Sequence, residues 1–407
     1  MTDSATALGL SLATLLTAQV AAGTCVIWRL LPGRRRRPPE SPRPGGPART
    51  TVSVVVATLN EARRIGPLLA ALERQGPAMV EALVVDSRST DGTRALVEAA
   101  AARDPRIRLL TDDPLPDGWV GKVWALETGL RHARGAWVLG LDADIEPEAG
   151  LVEAVIAAAE RDGLDVVSFS PRFADQTAGE RWLQPAMLTT LVYRFGAAGD
   201  GTVAGDRVMA NGQCFLARRE VLERHGGYAP ARASFCDDVT LARHLARRGA
   251  RVGFLDGSRL YKVRSYTSAA EAWREWGRSF DLTDAIAPAR QAVDLLTVTF
   301  AQGLPLVVLA FLGMAALRGL PAVPEGATGA AAAVRTLATA LLGVNVALVA
   351  MRALLLTAMR GAYDRRGLPF WLSLTADPAA VFRFWLSTLR RPRAWRGRRY
   401  EVLGAVD

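Results

Sequence analysis

The chain has 407 residues, enough for two or three domains, and it carries a formal net charge of +10. Its basic residues cluster beside apolar segments, and no nucleic-acid-binding motif occurs. We therefore expect these basic residues to contact a membrane surface and no nucleic acid. Three cysteines without a CxxC pair argue against a disulfide framework or a structural zinc site.

The N-terminal segment is apolar. No charged residue occurs in Ala5–Trp28, which is long enough for one membrane-spanning helix. A signal peptide is the alternative, but it requires a basic start, and the only early charged side chain is Asp3. The basic run Arg34–Arg37 follows, and the positive-inside rule places it in the cytoplasm. We therefore predict a transmembrane anchor over residues 1-31 and a Pro/Gly-rich basic linker over residues 32-50.

An α/β domain is predicted over residues 51-285. Its first half alternates β-branched, apolar strands with helices, a pattern that indicates parallel βαβ units. Ligands of such sheets bind beyond the carboxyl ends of the strands. The predicted strands are residues 51-58, 82-86, 106-110, 136-141, 165-170 and 211-217, and the predicted helices are residues 61-75, 121-132, 180-195, 237-248 and 268-284.

The C-terminal part is apolar again. Residues 290-360 are predicted to hold two transmembrane helices, at Leu295–Leu317 and at about residues 336-358. Arg352 falls within the second helix, which is an expensive placement for a charge in a bilayer. Residues 361-407 are predicted to form an interfacial or re-entrant helix and a basic tail, because both flanks of their apolar stretch are basic.

Two carboxylates one residue apart follow the fourth predicted strand. Asp142 and Asp144 end the apolar run that starts at Trp137, and residues i and i+2 of an extended chain project to the same face. A divalent cation that carries a diphosphate would neutralise both, because Mg²⁺ takes one or two carboxylates together with phosphate oxygens. The structural alternative is that Asp144 caps the helix beginning near Pro147 and that Asp142 lies in a solvated turn.

Four motifs, taken in order, resemble those of the inverting family 2 glycosyltransferases with a GT-A fold. Gly118–Lys122 and the tail Trp395–Tyr400 further resemble membrane-bound members that glycosylate carotenoids, hopanoids or other lipids. The resemblance implies a Rossmann-like, mostly parallel central sheet in a cytoplasmic domain held at the inner membrane by N- and C-terminal transmembrane helices in a multi-pass protein. The four motifs are VSVVVATLNEARRI, VVDSRSTDGT, LDADIEP and FCDDVTLARHL.

The resemblance also implies where the nucleotide-sugar donor binds. Asp86 could accept hydrogen bonds from the base or ribose, and Asn60 ends the first strand, where the family holds the nucleotide; a helix cap is the alternative at both positions. The family often has two acidic residues here, whereas this chain has Asp86-Ser87. Asp142 and Asp144 would hold Mg²⁺ or Mn²⁺. The donor-binding residues implied are Thr58, Asn60, Glu61, Asp86, Lys122 and Asp142.

The predicted catalytic base is Asp238. An inverting displacement needs a carboxylate that takes the acceptor proton, and adjacent Asp237 would raise the pKa of Asp238. Either residue could instead cap the helix that they begin. The QxxRW signature of processive polysaccharide synthases is broken in the helix around residue 274, which argues against a polymer synthase. The predicted acceptor or diphosphate contacts are Asp237, Gly226, Gly227, Arg274 and Arg278.

These residues together predict a glycosyltransferase that moves a sugar from a nucleotide-sugar, in the first instance a UDP-sugar, to a lipid such as a carotenoid or hopanoid. The reaction would be a metal-assisted, inverting single displacement. One alternative is transfer to a polyprenyl phosphate or a growing polysaccharide. An alternative of another class is a catalytically inactive membrane scaffold or sensor, against which the intact Asp142-Ala143-Asp144 motif and Asp238 count.

Overall fold

The computed structural model describes residues 2-45, 50-199, 201, 207-264, 266-280, 282, 285-318, 329-389, 394-395 and 398-399. Its strands are β1 Val52–Thr58, β2 Met79–Asp86, β3 Ile107–Thr111, β4 Trp137–Asp142, β5 Ile145–Pro147, β6 Val166–Ser170, β7 Arg172–Phe173, β8 Cys214–Arg218, β9 Val252–Asp256, β10 Tyr261–Val263, β11 Ala394–Trp395 and β12 Arg398–Arg399. Its α-helices are α1 Thr2–Leu30, α2 Gly66–Leu72, α3 Thr93–Arg103, α4 Gly121–His132, α5 Leu151–Asp162, α6 Ala178–Phe195, α7 Arg219–Arg224, α8 Asp237–Arg247, α9 Ala269–Phe280, α10 Pro288–Val298, α11 Pro305–Leu317, α12 Ala330–Met359, α13 Gly367–Trp371 and α14 Asp377–Leu389.

Seven strands form the central sheet, in the order β3-β2-β1-β4-β8-β6-β9. All neighbouring pairs are parallel except the two that involve β8, which runs antiparallel to β4 and β6. Helices cover both faces of the sheet, so alternate residues of β1 enter different cores: Val54 and Val56 pack in one and Val55 in the other. The prediction of a mostly parallel α/β sheet is therefore confirmed.

The strand ends bring polar side chains to one edge of this sheet. Thr58 at the end of β1 pairs with Asp86 at the end of β2, and Ala57 pairs with Asp142 at the end of β4. Because these strands are parallel, their carboxyl ends meet at the same edge. This edge is the part of the fold that positions the candidate site.

A second sheet has three strands, in the order β5-β10-β7, and its strand β5 directly follows the Asp142-Ala143-Asp144 turn. The backbone N–H of Arg264, just after β10, donates to the carbonyl of Asp144 at 3.3 Å. The sequence patterns missed these strands, since two or three residues are too few to show a period. The predicted helix at residues 61-75 is also shorter than expected, because the α-helix begins only at Gly66-Pro67, where proline suits a first turn.

Two helices are long and apolar enough to cross a membrane, spanning residues 6-35 and 330-362. They pack against each other, and a reciprocal amide pair joins them: Gln19 Nε2 donates to Asn345 Oδ1 and Asn345 Nδ2 donates to Gln19 Oε1, each at 2.8 Å. Both side chains are fully buried, so each satisfies the polar groups of the other where water is excluded.

The predicted span Leu295–Leu317 differs from the structure, which has a broken helix there. Helix α10 passes through a π-helical turn, Thr299–Gly303, into α11, and the two parts meet at an angle of 40°. Pro305 has no backbone N–H to continue the helical hydrogen bonds, which accounts for the break. The pair makes a third candidate span if it is counted as one.

Arg352 has a partner that the sequence analysis did not foresee. It is 2% exposed, and its Nε lies 3.0 Å from Oδ2 of Asp377 at the start of α14. The charge in α12 is thereby neutralised inside the protein. Helix α14 has 13 residues, and its length of about 20 Å is too short to cross a bilayer. Much of the basic tail beyond Leu389, including half of the Trp395–Tyr400 motif, lies outside the described residues.

Candidate active site

A cavity of about 1050 Å³ lies at the edge of the central sheet where β1 and β4 end. It is lined by Ala57 and Asp142 from those strands, by Gly212 before β8, and by Asp256 at the end of β9. This is the location expected for the ligand of a parallel α/β sheet. The ionisable groups that the sequence predicted at the site and that line the cavity are Glu61, Lys122, Asp142, Asp144, Asp237 and Asp238.

Lys122 lies in the first turn of α4, and its Nζ is 2.8 Å from Oδ1 of Asp142. Burial alone would lower the pKa of Lys122, but the carboxylates of Asp142 and Asp237 raise it well above its usual range. Lys122 is therefore a permanent positive charge within a group of carboxylates.

Asp238 begins α8 together with Asp237. Its Oδ2 accepts a hydrogen bond from the backbone N–H of Gly212 at 2.6 Å, and its Oδ1 accepts one from the N–H of Val239 at 2.8 Å. Burial and the adjacent Asp237 raise the pKa of Asp238 to about 7, although Lys122 opposes the shift. Burial likewise raises the pKa of Asp237. A carboxyl group that titrates near neutrality is suited to accept a proton during a reaction.

The Asp142-Ala143-Asp144 turn offers two carboxylates to the same cavity, both half-buried. Among the described residues, no group of three or more His, Cys, Asp or Glu side chains could hold a metal ion. The oxygen-only donor pair fits Mg²⁺ or Mn²⁺ if the remaining ligands come from a bound diphosphate and water, which is the usual arrangement for Mg²⁺ at phosphate sites.

Three of the predicted donor-binding residues lie beside the cavity and do not line it. Asp86 is buried, and its carboxylate accepts hydrogen bonds from the backbone N–H of Ser89 at 3.2 Å and from Oγ1 of Thr58 at 3.4 Å. Asn60 has a φ of +55°, and its Oδ1 accepts from the N–H of Thr90 at 2.9 Å. In this structure these side chains shape the loops after β1 and β2.

The predicted acceptor contacts are divided. Asp237 lines the cavity, whereas Gly226 and Gly227 do not. Gly227 packs against α4: a Cβ there would lie 2.4 Å from Oε2 of Glu127, and its φ is +60°. The absence of a side chain at Gly227 therefore leaves room for Glu127.

Helix α9 faces the cavity with residues other than the predicted arginines. Arg274 is exposed and does not line the cavity, and its carbonyl accepts a hydrogen bond from Arg383 Nη2 at 3.2 Å. The side chain of Arg278 lies outside the described part of the structure. The helix instead presents Glu271, which forms an ion pair with Arg64 at 2.9 Å, together with Glu275, Trp276 and Ser279.

The side of the cavity next to the candidate spans was not predicted from the sequence. The rest of the lining includes many apolar residues from α1, α6 and α12, which we call the apolar half, together with several arginines. No local motif marks these residues, because they come together only when the two ends of the chain pack beside the α/β domain. They include Ile27, Leu30, Leu31, Arg34, Arg36, Leu188, Leu191, Val192, Met351, Leu354, Leu355 and Ala358.

The seven-stranded sheet, with an Asp-x-Asp turn at its edge and further carboxylates across one cavity, has the GT-A architecture. The family model described as "Glycosyl transferase family 2" matches residues 53-226 of this chain. The chain therefore carries a family 2 glycosyltransferase domain, and the prediction of this family and fold is confirmed.

The relatives agree with this assignment. The chain is 38% identical over 128 residues to the succinoglycan biosynthesis protein ExoO of Rhizobium meliloti (strain 1021), covering 30% of this chain and 35% of that protein. It is 30% identical over 101 residues to the 4,4'-diaponeurosporenoate glycosyltransferase of Staphylococcus haemolyticus (strain JCSC1435), covering 25% of this chain and 26% of that one. The chain thus spans about a third or less of the length of these two curated relatives.

One solved structure extends the likeness beyond the α/β domain. The mannosyltransferase PcManGT from Pyrobaculum calidifontis, solved in complex with GDP-Man and Mn²⁺, superposes with a TM-score of 0.53 at 22% identity. The superposition covers 94% of this chain and 99% of that chain. At this identity the likeness concerns the fold, and it includes the apolar segments as well as the central sheet.

Proposed function

We propose that the protein transfers a sugar from a nucleotide-sugar to a lipid acceptor at the cytoplasmic face of the inner membrane. The observation that carries this proposal is the composition of the cavity at the sheet edge. One half holds Lys122, Asp142 and Asp238, and the other half is lined by apolar residues at the ends of α1 and α12. A charged diphosphate suits the first half, and a lipid chain suits the second.

The proposed chemistry assigns one role to each group of the charged half. Asp142 and Asp144 would hold Mg²⁺ or Mn²⁺, which supplies positive charge to the diphosphate leaving group. Lys122 adds a fixed positive charge to the same leaving group. Asp238 takes the proton of the acceptor hydroxyl, while the acceptor oxygen bonds to the anomeric carbon and the bond from that carbon to the diphosphate oxygen breaks.

The nucleoside part of the donor would lie towards the loops after β1 and β2. Glu61 lines the cavity, and Thr58, Asn60 and Asp86 lie directly behind it at the same sheet edge. We propose these four residues as contacts of the nucleoside, made after the loops adjust around the donor. UDP-sugars are the first donors to test.

The membrane topology completes the proposal. Helices α1 and α12 would be spans, and the basic residues after each of them, Arg34–Arg37 and residues 360-366, would lie in the cytoplasm with the α/β domain. The segment 361-407 would rest at the interface. A lipid acceptor is consistent with the name of one relative, the 4,4'-diaponeurosporenoate glycosyltransferase.

A nucleotide-release screen tests the proposed function. The purified protein in detergent is supplied with UDP- and GDP-sugars, Mg²⁺ or Mn²⁺, and a lipid extract, and both free nucleotide and solvent-extractable labelled sugar are measured. We expect one donor to give both products, and both to be lost when EDTA removes the metal. Release of no nucleotide from any donor would contradict the proposal, and labelled sugar only in a water-soluble polymer would favour the polysaccharide alternative.

A further inference from the structure

Two arginines that follow α1 line the same cavity as the apolar residues and the carboxylates. Arg34 and Arg36 both contribute to the lining and are both exposed. Within the described residues, neither side chain makes an ion pair or a hydrogen bond. Their neighbours in the basic run differ: Arg37 is paired with Asp162, and Arg35 does not line the cavity. The run therefore directs alternate residues to the cavity.

The other arginines of the lining are already engaged. Arg172 forms an ion pair with Asp364 at 2.6 Å, and Arg259 Nη1 lies 3.5 Å from Oγ of Ser41. Arg34 and Arg36 are thus the lining cations that have no partner in the described part of the chain. A guanidinium without a carboxylate partner is a strong donor to phosphate oxygens.

The position of the two arginines along the chain sets their depth. Ile27 and Leu30 of α1 line the apolar half, and Arg34 follows within about one turn. If α1 spans the membrane, the end of its apolar segment lies at the level of lipid phosphates. The cavity therefore combines a surface for lipid chains, two cations without a partner in the described residues, and a group of carboxylates.

We infer that the acceptor is a phospholipid with a hydroxylated headgroup, whose phosphate is held by Arg34 and Arg36. This inference rests on the proposed function. The acyl chains lie against α1 and α12, the phosphate meets the arginines, and a headgroup hydroxyl reaches Asp238. The hydroxyl oxygen bonds to the anomeric carbon, its proton goes to Asp238, and the nucleoside diphosphate leaves with the electron pair of the broken bond.

The electrostatics of the cavity support a requirement for these cations. Asp142, Asp144, Asp237 and Asp238 all face the same space, so an anionic acceptor would be repelled unless positive charge compensated for it. A neutral acceptor would need no such compensation, and two unpaired arginines at the lipid level would then have no acceptor group to bind.

The test uses two acceptors and two double variants. Phosphatidylglycerol and diacylglycerol with identical acyl chains both carry a free hydroxyl, but only the first carries a phosphate. Each is presented in neutral detergent micelles with the donor found by nucleotide release. The variants are Arg34→Gln/Arg36→Gln and, as the matched control, Arg35→Gln/Arg43→Gln, which removes the same charge at exposed positions that do not line the cavity.

The expected result is that the wild type prefers phosphatidylglycerol and that Arg34→Gln/Arg36→Gln lowers the ratio of the two transfer rates at least about tenfold. The control variant should keep the wild-type ratio. Equal use of both lipids, transfer to neither, or the same ratio in both variants would overturn the inference. In each of those cases, continued release of nucleotide would leave the proposed function standing, whereas release of none would contradict the proposed function itself.

Discussion

Two groups of charges in this molecule are built in opposite ways. Arg352 and Asp377 are matched one to one, and each is 2% exposed, so the pair is complete without any ligand. At the sheet edge, the carboxylates Asp142, Asp237 and Asp238 surround Lys122. The first arrangement holds two helices together, and the second leaves an excess of negative charge that a bound cation would neutralise. The matched pair is thus a structural contact, whereas the unbalanced group of carboxylates belongs to the candidate site.

The largest effect is expected from Asp238→Asn, which removes the proposed base and keeps the size of the side chain. Sugar transfer should fall about 10²- to 10⁴-fold, because an amide cannot take the acceptor proton. Transfer is measured as labelled lipid per minute, and circular dichroism checks the fold. The matched control is Glu98→Gln, which changes an exposed carboxylate on α3. Transfer at the control's rate would remove Asp238 from the mechanism.

A comparable loss, but of stability, is expected when the buried pair is broken. Arg352→Met leaves Asp377 buried without its cation and should cost about 3–5 kcal/mol of unfolding free energy. The double variant Arg352→Met/Asp377→Leu leaves no unpaired charge and should recover much of the loss. Thermal unfolding in detergent compares the three proteins. If the single and double variants were equally stable, the unpaired charge of Asp377 would not be the cause of the loss.

The pH dependence tests the unbalanced group. Burial and Asp237 raise the pKa of Asp238 to about 7, and a base works in its deprotonated form. Transfer at saturating substrates should therefore rise from pH 5.5 to pH 7, by about tenfold per pH unit well below the pKa, and level off above it. The residual activity of Asp238→Asn should not show this rise. A wild-type profile that is flat between pH 5.5 and pH 8 would contradict the assignment.

The smallest effect concerns a second matched pair, between the two candidate spans. Gln19→Leu leaves the buried amide of Asn345 without its partner and should cost about 1 kcal/mol. Gln19→Leu/Asn345→Leu should cost less than the single change, because no polar group is then left unsatisfied. Unfolding midpoints in detergent measure both. A double variant less stable than the single one would show that packing, and not hydrogen bonding, dominates this contact.

The sequence predicted the central elements well because they are long and strongly patterned. The strands ending near Thr58, Asp86 and Asp142 and the helix Gly121–His132 all occur at or within a few residues of their predicted bounds. The direction of β8 could not be predicted, since an antiparallel strand in a mostly parallel sheet depends on packing and not on local composition.

The candidate site was predicted in part. The carboxylates and Lys122 meet in one cavity because their motifs fall at strand ends and helix starts. The partner of Arg352 and the arginines of the lining were not foreseen, because they depend on contacts between segments far apart in the chain. Gly226 and Gly227 were assigned by motif alone, and the structure shows that the small size of Gly227 accommodates Glu127.

The central claim is that one cavity joins the charged sheet edge to a lipid-binding half beside α12. A substitution that fills the lipid-binding half with a large side chain tests this claim most directly. Ala358 of α12 lines the cavity and is exposed, whereas Ala350 of the same helix is exposed and does not line it. Labelled sugar in the lipid phase is measured per nucleotide released. Ala358→Trp should lower this ratio at least about tenfold by occupying the lipid half, and Ala350→Trp should keep it. An unchanged ratio in Ala358→Trp would contradict the account.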